Sequence, residues 1–184
     1  IWLNDIGEGD RALNLINGLI EKNPDNTRVI SDAVYLFLLR KEFERGLIYL
    51  KRLKKLPGSY PNVRIIEGMI AELNGKTDEA LKQYELSFNA SPKNMHLINV
   101  ILKICYKEKN WAKAVSILYK AADSFPNDPD LQLKLGELLI TCNDKKVINL
   151  DKGIEYSERA YLNNSSSVPV RVAAAKNIAI GCKE

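Results

Sequence analysis

Residues 61–94 read PNVRIIEGMIAELNGKTDEALKQYELSFNASPKN, and two apolar runs flank Asn74-Gly75 in this segment. Apolar residues recur every three or four positions in both runs, which is the spacing of one helix face. They are Val63, Ile66 and Ile70 in the first run and Ala80, Leu81 and Tyr84 in the second. Because Asn and Gly tolerate the left-handed backbone conformation, Asn74-Gly75 predicts a turn, and Thr77 is the predicted N-cap after it. The segment therefore predicts two helices joined by a tight turn.

Three classes of residue recur along the chain at a spacing of 34 positions. The first class is small: Ala12, Gly46, Ala80 and Ala114. Four positions later the residues are large and apolar or aromatic: Ile16, Leu50, Tyr84 and Leu118. Twelve positions after each small residue the helix is interrupted, at Pro24, Gly58, Pro92 and Pro126. Self-similarity at a fixed period of this length indicates an array of helical repeats.

The pattern resembles the tetratricopeptide repeat family, in which a small residue, a large residue four positions later and a closing proline recur. The resemblance covers nearly all 184 residues and implies an all-α fold, a right-handed superhelical solenoid of antiparallel helix pairs. It implies one domain over residues 1–184, beginning inside a repeat as part of a longer protein. The expected units are 1–26 (partial), 27–60, 61–94, 95–128, 129–167 with an insertion, and 168–184 as a capping or partial helix. Since the helices cross closely at the small residues, Ala80→Glu or Ala114→Glu is expected to unfold the array.

The period breaks after residue 142. The next small residue is expected at position 148, which is Ile148, and the pattern resumes at Gly153, five positions later. This shift predicts a lengthened loop within residues 143–151, either as a tolerated surface insertion or as a functional segment. A last helix is predicted at about residues 169–181. Its expected covering face consists of Val172, Ala175, Ile178 and Ala179.

Two further helix starts carry capping residues. Asn110 is the predicted N-cap of the second helix in unit 95–128. Asp128 followed by Pro129 predicts the start of the next helix, because proline is favoured at the first helical position. Trp111 is predicted to lie between the helices as a packing residue.

Composition limits the class of protein. Apolar residues make up 46% of the chain and charged residues 27%. No run of about 18 apolar residues exists, so no membrane span is predicted. The formal net charge of +4 and the pI of about 8.9 permit acidic partners without requiring nucleic acid. Three cysteines and one histidine lack metal-ligand spacing, so no metal site is expected, and free thiols slightly favour a cytoplasmic location.

No arrangement of residues indicates catalysis. A Ser-His-Asp or Cys-His-Asn set would have to use His96, since the chain has no other histidine. The glycines lie at repeat turns and form no phosphate-binding loop. The sequence therefore predicts that these residues form neither an enzyme nor a cofactor site.

The resemblance to tetratricopeptide repeats also implies a binding groove. In that family the second, fifth, ninth, twelfth and thirteenth positions of each first helix line a concave face. Here those positions hold Arg28, Ser31 and Tyr35; Asn62, Ile65, Met69 and Glu72; His96, Asn99, Lys103, Tyr106 and Lys107; then Leu133 and Glu137. Aromatic, amide and cationic groups in this mixture suit a peptide or protein segment.

Other functions remain open from the sequence. The principal alternative is a rigid spacer or self-association module of a larger protein, and binding of single-stranded RNA is the third. A basic cluster in the second helix of unit 27–60 is either a solvated outer face or a dock for an acidic group. It consists of Arg45, Lys51, Arg52, Lys54 and Lys55.

Overall fold

The computed structural model describes residues 9–163 and 166–183. In these two ranges the chain forms ten α-helices and no β-strand. The helices are α1 Gly9–Lys22, α2 Thr27–Leu39, α3 Phe43–Leu53, α4 Tyr60–Leu73, α5 Thr77–Ala90, α6 Met95–Lys107, α7 Trp111–Ser124, α8 Pro129–Thr141, α9 Leu150–Leu162 and α10 Val168–Gly181. The sequence also predicts the end of a first helix at Ile1, Trp2, Leu3 and Ile6 and a turn at Gly7-Glu8-Gly9, and residues 1–8 of this segment lie outside the described residues.

The chain divides into an N-terminal unit, residues 1–91, and a C-terminal unit, residues 92–184. Within each unit the most extensive packing is between helices that follow one another along the chain. These pairs are α2 with α3, α4 with α5, α8 with α9, and α9 with α10. The all-α helical-repeat architecture that the 34-residue period predicts is therefore confirmed.

The small residue of every repeat occupies the same place in its helix. It is the fourth residue of α1, α3, α5, α7 and α9, and it is buried in all five: Ala12, Gly46, Ala80, Ala114 and Gly153. Gly153 keeps this place although it lies five positions beyond the strict period. The inserted residues therefore lie before α9 and leave the register of that helix unchanged.

The core of the N-terminal unit forms around α2. Six of its thirteen residues are buried: Ile30, Ala33, Val34, Leu36, Phe37 and Leu38. Ile30, Val34 and Leu38 pack with residues of α3 and α4, whereas Ala33, Leu36 and Phe37 pack with residues of α1. The nearly continuous apolar sequence of this helix is explained by burial on two sides.

The turn between the two helices of a pair repeats its backbone conformation. The residue two positions before the second helix has a positive φ in three repeats: 61° at Lys41, 71° at Gly75 and 53° at Lys109. The next residue is the N-cap. Asn110 confirms its prediction, since its side-chain oxygen accepts the backbone N–H of Lys113 at 3.2 Å.

The predicted cap at Thr77 is wrong. Thr77 is the first residue of α5, and the N-cap is Lys76, whose side chain makes no capping hydrogen bond. Gly75 alone takes the left-handed conformation, and Asn74 has a φ of −88°. The N–H of Lys76 then donates to the carbonyl of Ala71 at 2.9 Å, so the turn closes one residue earlier than the cap preference suggested.

The inserted segment connects α8 to α9 and folds back against α8. Val147 is buried within it. The backbone N–H of Asn149 donates to the carbonyl of Leu139 at 3.0 Å, and the Asn149 side chain caps α9 by accepting the N–H of Lys152 at 3.1 Å. The Asp128 side chain likewise caps α8, with Pro129 as its first residue, as predicted.

The last predicted helix is confirmed as α10, but its predicted buried face is wrong. Val172, Ala175 and Ala179 are exposed. The buried residues are Val170, Ala174, Asn177 and Gly181. A Cβ at Gly181 would lie 2.9 Å from the side chain of Ile154 in α9. The two helices therefore approach along the face with the smaller side chains, which turns Val172 outward.

None of the helices in residues 9–163 and 166–183 combines the length and the apolar character needed to cross a membrane.

Candidate functional site

The expected groove residues lie on the first helices of the repeats. In the N-terminal unit they belong to α2 and α4, and in the C-terminal unit to α6 and α8. Arg28 is exposed, while Tyr35, Asn62, Ile65 and Met69 are half-buried. All five expected residues of α6 are exposed: His96, Asn99, Lys103, Tyr106 and Lys107.

In the N-terminal unit, α4 and α5 hold one expected groove residue in a fixed position. The hydroxyl of Tyr84 donates to the carboxylate of Glu72 at 3.0 Å. Burial, followed by this hydrogen bond, raises the pKa of Tyr84, and the neighbouring Tyr35 acts in the same direction. Ser31 is satisfied within its own helix, because its hydroxyl donates to the carbonyl of Thr27 at 2.6 Å. Glu72 therefore presents a carboxylate whose position is set by a buried tyrosine.

In the C-terminal unit, α6 and α8 bring several expected residues together. The Lys134 ammonium lies 3.5 Å from the side-chain oxygen of Asn99. Tyr106 and Glu137 are close enough that Glu137 adds to the effect of burial in raising the pKa of Tyr106. Leu133, also expected in the groove, packs against the cluster of Ala160, Val170 and Ala174 and contributes to the core.

A cleft opens beside these residues, between the α6–α7 turn and the C-terminal half of α8. Its volume is about 410 Å³. Eight residues line it, and we call it the 106–143 cleft: Tyr106, Trp111, Lys134, Glu137, Leu138, Thr141, Cys142 and Asn143. The rings of Tyr106 and Trp111 lie 5.8 Å apart, tilted by 42°. Trp111 thus packs on the preceding helix, as predicted, and also forms part of the cleft wall.

Most residues of the 106–143 cleft were not identified from the sequence. Of the expected groove residues, only Tyr106 and Glu137 line it. The repeat pattern contained one signal for the cleft, namely that the residue types at positions 106 and 111 differ from those one repeat earlier. Positions 34 residues before Tyr106 and Trp111 hold Glu72 and Thr77, so the repeat itself does not require an aromatic pair there.

The basic cluster lies in and directly after α3, and three of its five residues form ion pairs. The Arg45 guanidinium lies 2.7 Å from the Glu42 carboxylate and 4.3 Å from the centre of the Phe37 ring. The Lys54 ammonium lies 2.7 Å from the Glu67 carboxylate. Arg52 donates to the carbonyl of Pro24 and lies 3.7 Å from Asp25. These contacts favour the interpretation of the cluster as a solvated outer face.

Residues suited to metal binding are not grouped in the described ranges: no set of three or more His, Cys, Asp or Glu side chains is placed to hold an ion. The thiols of Cys105 and Cys142 are buried, and that of Cys182 is exposed.

Comparison with known proteins agrees with the helical-repeat fold. No protein-family model matches the chain. Tetratricopeptide repeat protein 21A of Mus musculus is 26% identical over 136 residues, which are 73% of this chain and 10% of that protein. The chain thus spans about a tenth of the length of this curated relative.

Two solved structures are also similar. YrrB, described as a TPR protein with an unusual peptide-binding site, is 18% identical with a TM-score of 0.58, and the match covers 91% of this chain and 82% of that one. TTC0263, a thermophilic TPR protein of Thermus thermophilus, is 18% identical with a TM-score of 0.52, covering 97% of this chain and 94% of that one. At this level of identity the likeness establishes the fold.

Proposed function

From the tetratricopeptide-repeat fold of this chain, we propose that it is a protein-interaction scaffold that binds a peptide or protein segment on the faces of its first helices. The observation that carries the proposal is the exposed face of α6, where His96, Asn99, Lys103, Tyr106 and Lys107 all project from the packed pairs.

The chemistry of this face suits a peptide backbone and its side chains. Asn99 offers both a donor and an acceptor, and the lysines offer cationic donors. Tyr106 supplies an aromatic surface with a hydroxyl at its edge, a combination that is favoured at protein interfaces. The helices beneath these residues are packed, so the side chains are displayed from a rigid support and little ordering cost is expected on binding.

The similar protein YrrB is described as having a peptide-binding site, which supports this proposal for a chain of the same fold. On the same reasoning we place the expected residues of the N-terminal unit, Arg28, Tyr35, Asn62, Ile65 and Met69, on the partner-binding faces of α2 and α4. The partner itself is a protein or an extended peptide segment.

The test is an affinity capture from a lysate of the source organism with two variants beside the wild type. The groove variant carries Asn99→Ala with Lys103→Glu. The matched control carries Ser116→Ala with Lys82→Glu, which makes the same kinds of change at exposed positions of the second helices α7 and α5. Circular dichroism and thermal unfolding establish that both variants are folded.

We expect a partner, identified by mass spectrometry, to be captured by the wild type and by the control and to be lost from the groove variant. Equal capture by all three proteins would contradict the proposal. A self-associated chain, detected by mass measurement and unaffected by the groove variant, would instead favour the spacer or self-association module.

A further inference from the structure

We propose that the 106–143 cleft is an anchor pocket that takes one large apolar side chain from an acidic, extended partner segment. This inference rests on the proposed function and names the chemistry of the partner. The aromatic pair Tyr106–Trp111 contacts the anchoring side chain of the partner. The neighbouring lysines contact the acidic residues on either side of it.

The size and lining of the cleft suit an anchoring side chain. A volume of about 410 Å³ falls within the range of sites that hold small organic groups, roughly 300–1,000 Å³. Tyr106, Trp111 and Leu138 provide apolar surface, and Lys134, Glu137, Thr141 and Asn143 place polar groups among the lining residues. Aromatic anchors in such pockets usually carry much of the energy of an interface.

The pocket is held open by well-defined local structure. Trp111 begins α7 directly after its capping residue Asn110. On the opposite side, Cys142 is the C-cap of α8, and its sulfur accepts the N–H of Asp144 at 3.4 Å. The loop that follows is tied to α8 by Asn149 and by the burial of Val147. Contacts within the chain therefore position both walls of the cleft.

The aromatic pair is not required by the repeat. Two repeats earlier, the positions of Tyr106 and Trp111 hold Leu38 and Phe43, and one repeat earlier they hold Glu72 and Thr77. Tyr106 is 38% exposed. Phe43 shares the repeat position of Trp111, but neither of these repeats has an aromatic residue at the position of Tyr106. The exposed ring of Tyr106 therefore has no packing role that these repeats share, which favours a role in binding.

Charge indicates the chemistry of the flanking segment. The formal net charge of +4 falls entirely within residues 92–184, because residues 1–91 contain equal numbers of basic and acidic residues. Lys134 lines the cleft, and Lys103 and Lys107 lie on the exposed face of α6. Among the described residues none of these three lysines forms an ion pair within 4.0 Å.

Glu137 is the one carboxylate among the lining residues. Lys134 balances it, and Lys103 and Lys107 leave an excess of positive charge on the adjoining face of α6. Complementary charge on an acidic segment speeds its approach and fixes its orientation, while a basic segment is disfavoured.

The experiment uses Trp111 as its own reporter. The chain has two tryptophans, Trp2 and Trp111, so a Trp2→Phe background leaves the emission of Trp111 alone. The probes are three nine-residue peptides with blocked ends. One has phenylalanine between two groups of four acidic residues, the second has alanine at the centre, and the third has phenylalanine between lysines.

We expect the acidic phenylalanine peptide to change the Trp111 emission saturably at physiological salt and to bind at least about tenfold more tightly than the other two. Lys134→Glu is expected to weaken this binding about tenfold. The matched control is Lys176→Glu, the same charge reversal at an exposed position of α10, and it should change the affinity less than about twofold.

A substitution that fills the pocket tests the proposal while leaving the aromatic pair in place. Thr141 is exposed and lines the cleft, so Thr141→Phe is expected to block the anchor while preserving the fold, as monitored by thermal unfolding. Loss of the peptide in Thr141→Phe with binding retained by Lys176→Glu supports the proposal.

Three results would overturn it: equal affinity for the phenylalanine and alanine peptides, equal weakening by Lys134→Glu and Lys176→Glu, or unchanged binding by Thr141→Phe. The two proposals fail separately. If the captured partner is lost from the Asn99→Ala, Lys103→Glu variant and kept by Thr141→Phe, the scaffold function stands and the pocket does not.

Discussion

Substitution of Gly68 tests the close approach of α4 and α5 on which the repeat depends. Gly68 is buried in α4 opposite the ring of Tyr84 in α5. A Cβ at this position would lie 2.5, 2.6 and 3.0 Å from three atoms of that ring. Tyr84 is itself 2% exposed and bonded to Glu72, so the ring has little room to move. Gly68→Ala therefore requires the helices to separate.

The expected change in the free energy of unfolding is the sum of two opposing effects. Replacing glycine by alanine inside a helix stabilises it by about 1 kcal/mol. Inserting a methyl group into a packed interface costs about 1–3 kcal/mol. The matched control is Gly18→Ala in α1 of the same unit, where a Cβ would meet nothing within 4 Å. Because the helix-propensity gain is common to both, Gly68→Ala should be less stable than Gly18→Ala by about 1–3 kcal/mol.

Urea unfolding followed by circular dichroism measures this difference, and a double-mutant cycle identifies its cause. Tyr84→Phe keeps the ring, so the penalty of Gly68→Ala should persist in that background. Tyr84→Leu removes the ring, and the penalty should fall by about 1 kcal/mol or more. The reasoning is refuted if Gly68→Ala stabilises the chain as much as Gly18→Ala does.

Three further predictions concern the turns between helices. Lys76→Asn should stabilise the chain by about 0.5–1 kcal/mol in urea unfolding, because Asn accepts a backbone N–H as an N-cap and Lys76 does not; no gain would show that the turn forbids the cap. Lys109→Gly should stabilise it by up to about 1 kcal/mol, since glycine adopts the positive φ without strain, whereas Lys103→Gly inside α6 should cost about 1 kcal/mol in the same assay. Hydrogen bonds from Arg40, then Arg45, lower the pKa of Glu42. The contribution of Glu42 to stability is therefore present above its unfolded pKa of about 4.3, and it is lost as the pH falls through the lower folded pKa. The stability difference between wild type and Glu42→Gln should accordingly shrink as the pH falls below the unfolded pKa of about 4.3. A difference that stays constant on acidification would contradict the assignment.

The repeat was predictable because its register depends on side-chain size. A small residue is needed where the two helices of a pair cross, and the fourth position of each second helix supplies one even after the insertion, at Gly153. The caps at Asn110 and Asp128 were predictable for a similar reason. Their side-chain oxygens accept backbone N–H groups that have no other partner at a helix start.

Other features depend on contacts that the local sequence does not determine. The face of α10 could not be chosen because apolar residues surround that helix on all sides, and the approach of Ile154 to Gly181 decides the outcome. The N-cap of α5 was misplaced because the conformation of Gly75, and not the capping preference of Thr77, determines where the turn ends. The 106–143 cleft depends on the distance between the α6–α7 turn and α8, which the periodicity does not specify.

Packing between helices adjacent in the chain has a consequence for the order in which the protein forms. Low sequence separation between contacting residues is associated with fast folding, because little loop-closure entropy is lost before contacts form. Pairs such as α4–α5 and α8–α9 require only a short turn or the inserted loop to meet. During synthesis on the ribosome, each pair has its complete set of internal contacts as soon as its second helix emerges. Folding can thus begin within one pair and extend as the next helix emerges, which completes shared clusters such as that of Ile30, Val34 and Leu38 with residues of α4.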